Sequence, residues 1–164
     1  MTNSQNMEVL KIIYRKIITA SITVSIFSVL FGFIVPNPFG DTIPSISYYL
    51  LSVAMAIPVY LMYSFPAILI YGVLTSIISD KVSRFIAAKT GNQKSEIIIS
   101  GILHIAFGLI LLFYSLTASI LFFITDRVLQ KQNKNYQLLQ AIKSLAIPLA
   151  VWVFFMVFVY LEQL

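Results

Sequence analysis

The sequence predicts an all-α fold: a small polytopic bundle of about four transmembrane helices in a single membrane domain over residues 1–164. Three observations predict it. First, 59% of the residues are hydrophobic and only 10% are charged, where a soluble domain carries about 25% charged residues. Second, four runs contain no Asp, Glu, Lys or Arg: Ile17–Gly40, Thr42–Ser79, Ile97–Thr125 and Ser144–Leu161. A hydrocarbon core ~30 Å thick needs about 20 apolar residues per helix, so these runs and their connections use up the chain. Third, the runs are too long and uniform for barrel strands, and in lipid only helices and closed barrels satisfy their own backbone groups.

The first span is expected over residues 17–35, after a polar arm carrying Lys11, Arg15 and Lys16. An uncleaved span is expected rather than a signal peptide, because it ends in Val35-Pro36-Asn37-Pro38 without an Ala-x-Ala-like site. Pro36, Pro38 and Gly40 stop the helix. The second run is too long for one straight crossing. Pro58 suits a helix's first turn, which places the second span at 59–79 and leaves 46–57 at the interface, with Tyr48 and Tyr49 at head-group depth. A continuous Pro-kinked helix and a hairpin turning near Pro58 are the alternatives. From Asp80 the chain reads as a short amphipathic helix, with Lys81, Arg84 and Lys89 toward head groups. It breaks at Gly91-Asn92, with Ser95 as the next cap. The third span is expected over 99–123. The 126–143 connection is polar, and the fourth span is expected over 145–161, with Pro148 tolerated in its first turn.

Lys and Arg in short loops mark the cytoplasmic side. The arm carries three, the 80–96 connection four, the 126–143 connection four, and the 36–45 connection and C-terminus none. Four crossings with both termini cytoplasmic give seven basic residues inside and four outside. Folding the third run back on itself would bring all eleven inside, but 29 residues cannot cross ~30 Å twice, so only a re-entrant loop would do. Single-cysteine labelling at Asn37, Asn92 and Asn133 is decisive: Asn92 and Asn133 reacting from one side overturns the four-crossing arrangement.

The net charge of +5 sits on the flanks of the apolar runs. It points to anionic lipid head groups rather than nucleic acid. The absence of cysteine excludes disulfides, thiolate catalysis and Cys-ligated metals. No phosphate-binding loop, His-Glu-x-x-His or Gly-x-Ser-x-Gly motif occurs. No catalytic residue, cofactor or metal is expected.

His104, the one histidine, lies inside the third run. An ionisable residue at membrane depth is a functional candidate, as a proton relay or path lining. The competing reading is a neutral ring bonded to a Ser or Tyr of a neighbouring helix. Small residues form two stripes, Ser21, Ser25, Ser28 and Gly32 in the first span and Gly101, Gly108 and Ser115 in the third. They are candidates for close helix packing, with a pore lining as the sharper alternative. Pro66 is a candidate kink, and Tyr60, Tyr63 and Tyr71 share a helix face. Asp80 and Asp126 read as helix ends with local charge partners in Lys81 and Arg127.

The segment Tyr63-Ser-Phe-Pro-Ala-Ile-Leu-Ile-Tyr-Gly-Val-Leu-Thr-Ser-Ile-Ile-Ser-Asp-Lys-Val-Ser83 resembles the second-span region of a family of small, uncharacterised multi-pass membrane proteins from Bacillus and relatives. The resemblance implies a Gram-positive cytoplasmic membrane and carries no activity or site residues. The functional expectation is a non-enzymatic accessory or interaction protein, held to itself or to a membrane partner by the small-residue stripes. A small oligomeric transporter or channel is the alternative.

Overall fold

In the computed structural model, which describes residues 3–38, 40, 43–109, 112–132 and 134–162, every regular element is helical. Helix α1 (Asn3–Ile34) joins the polar arm to the first apolar run without a break. Helix α2 (Ile46–Ala67) starts at Ser45, whose hydroxyl accepts from the Tyr48 amide. A π turn, Ile68–Gly72, follows Pro66 almost at once and leads straight into α3 (Val73–Thr90). The whole stretch Ile46–Thr90 is one helical run of 45 residues.

The helix therefore passes through Pro58 instead of starting there, the continuous alternative among the three arrangements. Proline removes one backbone hydrogen bond, but the flanking Val53, Ala54, Ala56 and Ile57 are all buried. Burial of that face against α1 holds the helix together where local preference alone would end it. The contact is close: a Cβ on Gly32 of α1 would overlap the Ile57 side chain.

Gly91, in the left-handed region at φ 67°, ends α3, where the missing Cβ removes the usual steric cost. Asn92 rather than Ser95 then caps helix α4 (Gln93–Gly108), its side chain accepting from the Lys94 amide.

The third apolar run is not one helix. It folds into an antiparallel hairpin of α4 and α5 (Leu112–Lys131). The register is set by Gly108 against Leu116 and Ser119, Gly101 against Phe123, and Ser100 against Arg127. At the tip, Leu112 takes a left-handed φ of 50°. The 29-residue limit fails because neither helix stops at its first charge. The 16 residues of α4 and 20 of α5 reach about 24 and 30 Å at ~1.5 Å per residue. Asp126 is buried within the bundle, so a charge that seemed to mark the water boundary lies inside. Helix α6 (Leu138–Ser144) and helix α7 (Ala146–Glu162) complete the chain.

Four helical runs are long and apolar enough to cross a membrane: Asn6–Ile34, Ile46–Thr90, Leu112–Lys131 and Leu138–Glu162. The protein is thus an all-α polytopic bundle, with the shorter α4 paired to α5. Its ends follow from the contacts. Lys16, near the middle of α1 where the polar arm meets the apolar run, bonds Asp80 of α3 and Asp126 of α5. Ser144 at the end of α6 bonds Ser21 of α1, and α7 runs from there along α2. The arm, the 80–96 connection and the 126–143 connection consequently lie at one end of the bundle. All eleven Lys and Arg residues belong to that end. The expected division of seven against four does not survive, nor does the expectation that both termini share a side: α7 ends at the opposite end from the arm.

Candidate functional site: a buried ionic cluster beneath an apolar cavity

Three helices bring charge into the basic half of the bundle. The Lys16 side chain is fully buried, with its Nζ 2.6 Å from Asp80 Oδ2, 2.8 Å from Asp126 Oδ2 and 2.6 Å from Ser76 Oγ. An ammonium has three protons to donate, and these three acceptors take them all. Arg15 Nε donates to Asp126 Oδ1 at 3.0 Å, and Arg127 Nη2 donates to Asp80 Oδ1 at 3.2 Å and Ser100 Oγ at 2.7 Å. Ser100 donates to Asp80 Oδ1, and the Thr19 hydroxyl reaches both Asp126 Oδ1 and the Arg15 carbonyl. Three cations face two carboxylates here, a local excess of one positive charge.

Such a cluster persists in a low-dielectric interior only when each charge is paired and its remaining hydrogen-bonding positions are filled. The local sequence supplies that filling. On α3, Ser76, Ser79, Asp80, Ser83 and Ala87 form the buried face, while Val82 and Phe85 stay exposed. Asp80 and Asp126 therefore do not pair locally with Lys81 and Arg127 as expected. They converge on Lys16, more than 60 residues away from either. Sequence reading missed this cluster because each member looks like a membrane-flank charge. The available signal was positional: Lys16 precedes the first apolar run, and Asp80 and Asp126 each follow one.

His104 sits immediately beside the cluster and is buried. Its Nδ1 lies 2.8 Å from the Ser100 carbonyl oxygen, and its Nε2 lies 3.2 Å from Ser76 Oγ. A carbonyl only accepts, so Nδ1 carries the proton. The Ser76 hydroxyl donates to Nε2 while its oxygen accepts from Lys16. One polarised chain, Lys16 to Ser76 to His104 to the Ser100 carbonyl, accommodates a neutral ring. Phe122 and Phe123 pack against that ring at centroid distances of 6.4 and 5.2 Å.

Above His104, away from the charges, lies a cavity of about 430 Å³ open on one side. Phe27, Ile68 and Phe122 form its inner wall, and Tyr63, Ala67, Tyr71 and Tyr114 its exposed rim. The π turn creates the space. It widens the helix directly after Pro66, and Ile68 and Gly72 of the turn line the cavity. Pro66 itself is exposed at the surface of α2. The polar groups around the cavity are largely engaged already. Tyr60 donates to the Val35 carbonyl, Tyr71 to Phe107, Ser64 to Tyr60, Thr75 to Tyr71 and Ser119 to the His104 carbonyl.

The small-residue stripes divide among several contacts. Ser21 meets Ser144, Ser25 bonds the Ser21 carbonyl, and Ser28 approaches Ser64 at 3.4 Å. Gly32 receives Ile57, Gly108 lets α4 and α5 touch at Ser119 and Leu116, and Gly101 meets Phe123 at ordinary distance. Ser115 lines the cavity. Among the described residues, no group of His, Asp and Glu is arranged to hold a metal ion.

No protein-family model, curated protein or solved structure matches the chain.

Proposed function

We propose that the protein is a non-enzymatic membrane protein of the cell membrane, inserted with its basic end in the cytoplasm, and that it acts by recognition within the bilayer as an accessory or interaction protein. The observation that carries this reading is the gathering of all eleven Lys and Arg residues at one end of the bundle. Basic residues stay on the cytoplasmic side of short loops, and there they meet anionic lipid head groups. The saturated bonding of Lys16 supports a structural role for the ionic cluster. It works as a bolt across α1, α3 and α5, with every proton of the Lys16 ammonium taken. The resemblance to small Bacillus membrane proteins fits the same placement.

Single-cysteine accessibility in intact cells tests the topology. Cysteines at Asn92 and Asn135 are expected to be shielded together from an impermeant reagent, while one at Asn37 reacts. Reaction of Asn92 and Asn135 from opposite sides would sink the reading.

A transporter is the second reading, favoured by His104, which lines the cavity and is bonded through Ser76 to Lys16. It predicts that His104→Ala abolishes a transport phenotype at unchanged protein levels. Normal transport in that variant removes this reading.

A further inference from the structure

We infer that the cavity at the π turn is a binding site for one hydrocarbon chain of a membrane lipid, which enters sideways between α2 and the tip of the α4–α5 hairpin. This rests on the membrane placement above. The cavity lies between two fixed levels, the Tyr60–Val35 hydrogen bond toward one end and the Lys16–Asp80 pair toward the other. Its mouth is therefore at membrane depth. The rim continues into the exposed apolar surface of the long helices, which carries Met62, Ile70 and Phe113 beside the mouth. What covers that surface in a bilayer is hydrocarbon, so the molecule that meets the mouth is a lipid chain.

The lining favours the same occupant. A void of about 430 Å³ falls within the ~300–1,000 Å³ range of ligand pockets, far beyond what packed interiors leave empty. Water does not settle in an apolar cavity without several polar partners. Here the hydroxyls of Tyr60, Tyr71, Thr75 and Ser119 are spent on backbone carbonyls. Both nitrogens of His104 are engaged as well. A polar ligand would find few unmet donors, whereas an alkyl chain needs none. The buried aromatic wall of Phe27 and Phe122 supplies contact along its length.

The test is native mass spectrometry of the full chain, taken from vesicles of phosphatidylethanolamine and phosphatidylglycerol into mild detergent. The unaltered chain is expected to retain one lipid. Ala67→Phe fills the mouth from an exposed rim position, and Ala118→Phe fills the interior. Each is expected to lower lipid occupancy about tenfold or more. Phe154→Ala on the outer face of α7 is expected to leave it unchanged. Ala67→Phe keeps the test sharp if Ala118→Phe fails to fold. An unaltered chain without lipid, equal lipid in both cavity variants, a retained non-lipid molecule, or a second copy of the chain in place of lipid would each overturn the assignment. If cysteine labelling still gives the proposed topology, such a result removes the cavity assignment alone.

Discussion

The two halves of the bundle solve the problem of a polar interior in opposite ways. In the basic half, α1, α3 and α5 bury Lys16, Asp80 and Asp126 and hold the partly exposed Arg15 and Arg127 against the two carboxylates. In the other half, α2 and the hairpin tip stand apart around a cavity whose polar groups are mostly spent on backbone carbonyls, of their own helix or of a neighbouring one. A buried ion pair demands fixed geometry, because a misplaced charge in low dielectric has no solvent to fall back on. An apolar cavity tolerates adjustment, because dispersion contacts are individually weak and non-directional. The bundle is thus built stiff where it is charged and adaptable where it is apolar, with His104 at the junction.

The comparison breaks most visibly at Lys16. Lys16→Met leaves Asp80 and Asp126 buried without their shared partner, and about 3–5 kcal/mol of stability is expected to be lost. Thermal unfolding in detergent reads the loss. Replacing the whole cluster at once, Lys16→Met, Asp80→Leu and Asp126→Leu together with Arg15→Leu and Arg127→Leu, should recover most of it, since Arg15 and Arg127 lose their carboxylate partners too and apolar replacement of a complete buried ionic group is often neutral or stabilising. A single variant as stable as the parent would show that the cluster is not a bolt.

Next in size is Gly108→Leu. A Cβ there already stands 2.8 Å from Ser119 Cβ and 3.1 Å from Leu116 Cα, so the hairpin must splay. The expected loss is up to about 3 kcal/mol, together with a longer α4–α5 distance between spin labels at Ile102 and Ile124. An unchanged distance would mean that the hairpin is not held by this contact.

His104→Ala reaches the junction. It strips the Ser76 hydroxyl of its acceptor, and about 1–2 kcal/mol is expected to be lost. If Ser76→Ala and His104→Ala prove strictly additive in a double-mutant cycle, the proposed chain from Lys16 to the ring is wrong.

The smallest effect belongs to the adaptable half. Tyr71→Phe removes a 3.2 Å hydrogen bond to the Phe107 carbonyl at a half-exposed site, with an expected change of about 1 kcal/mol or less. A loss as large as that of Lys16→Met would erase the contrast between the halves.

Much of the membrane architecture is legible in particular residues. The charge-free runs identify the long helices, Pro36 and Pro38 mark the end of the first, and Gly91-Asn92 marks the break between α3 and α4. Two elements mislead. Pro58 reads as a start but lies mid-helix, because the Val53–Ile57 face is buried against Gly32. Asp126 reads as a water boundary but is buried on Lys16. Of the candidate site, sequence reading singled out His104 and several cavity-lining residues, Tyr60, Tyr63, Tyr71, Gly108 and Ser115, but not the ionic cluster. The His104 partners Ser76 and Ser100 are ordinary helix residues in sequence, and the converging charges come from three separate flanks.

The sequence by itself determined that the chain is helical, that it has four runs fit to cross a membrane, and that its basic residues fall in three clusters. Those properties follow from composition and from backbone hydrogen bonding in lipid, which act locally along the chain. Only the tertiary structure decided that the third run turns back, that the three clusters meet at one end, and that Lys16, Asp80 and Asp126 lie in contact. The physical reason is that a charge inside a bundle survives by its partners, and the partners are set by which helices pack together rather than by neighbours in sequence.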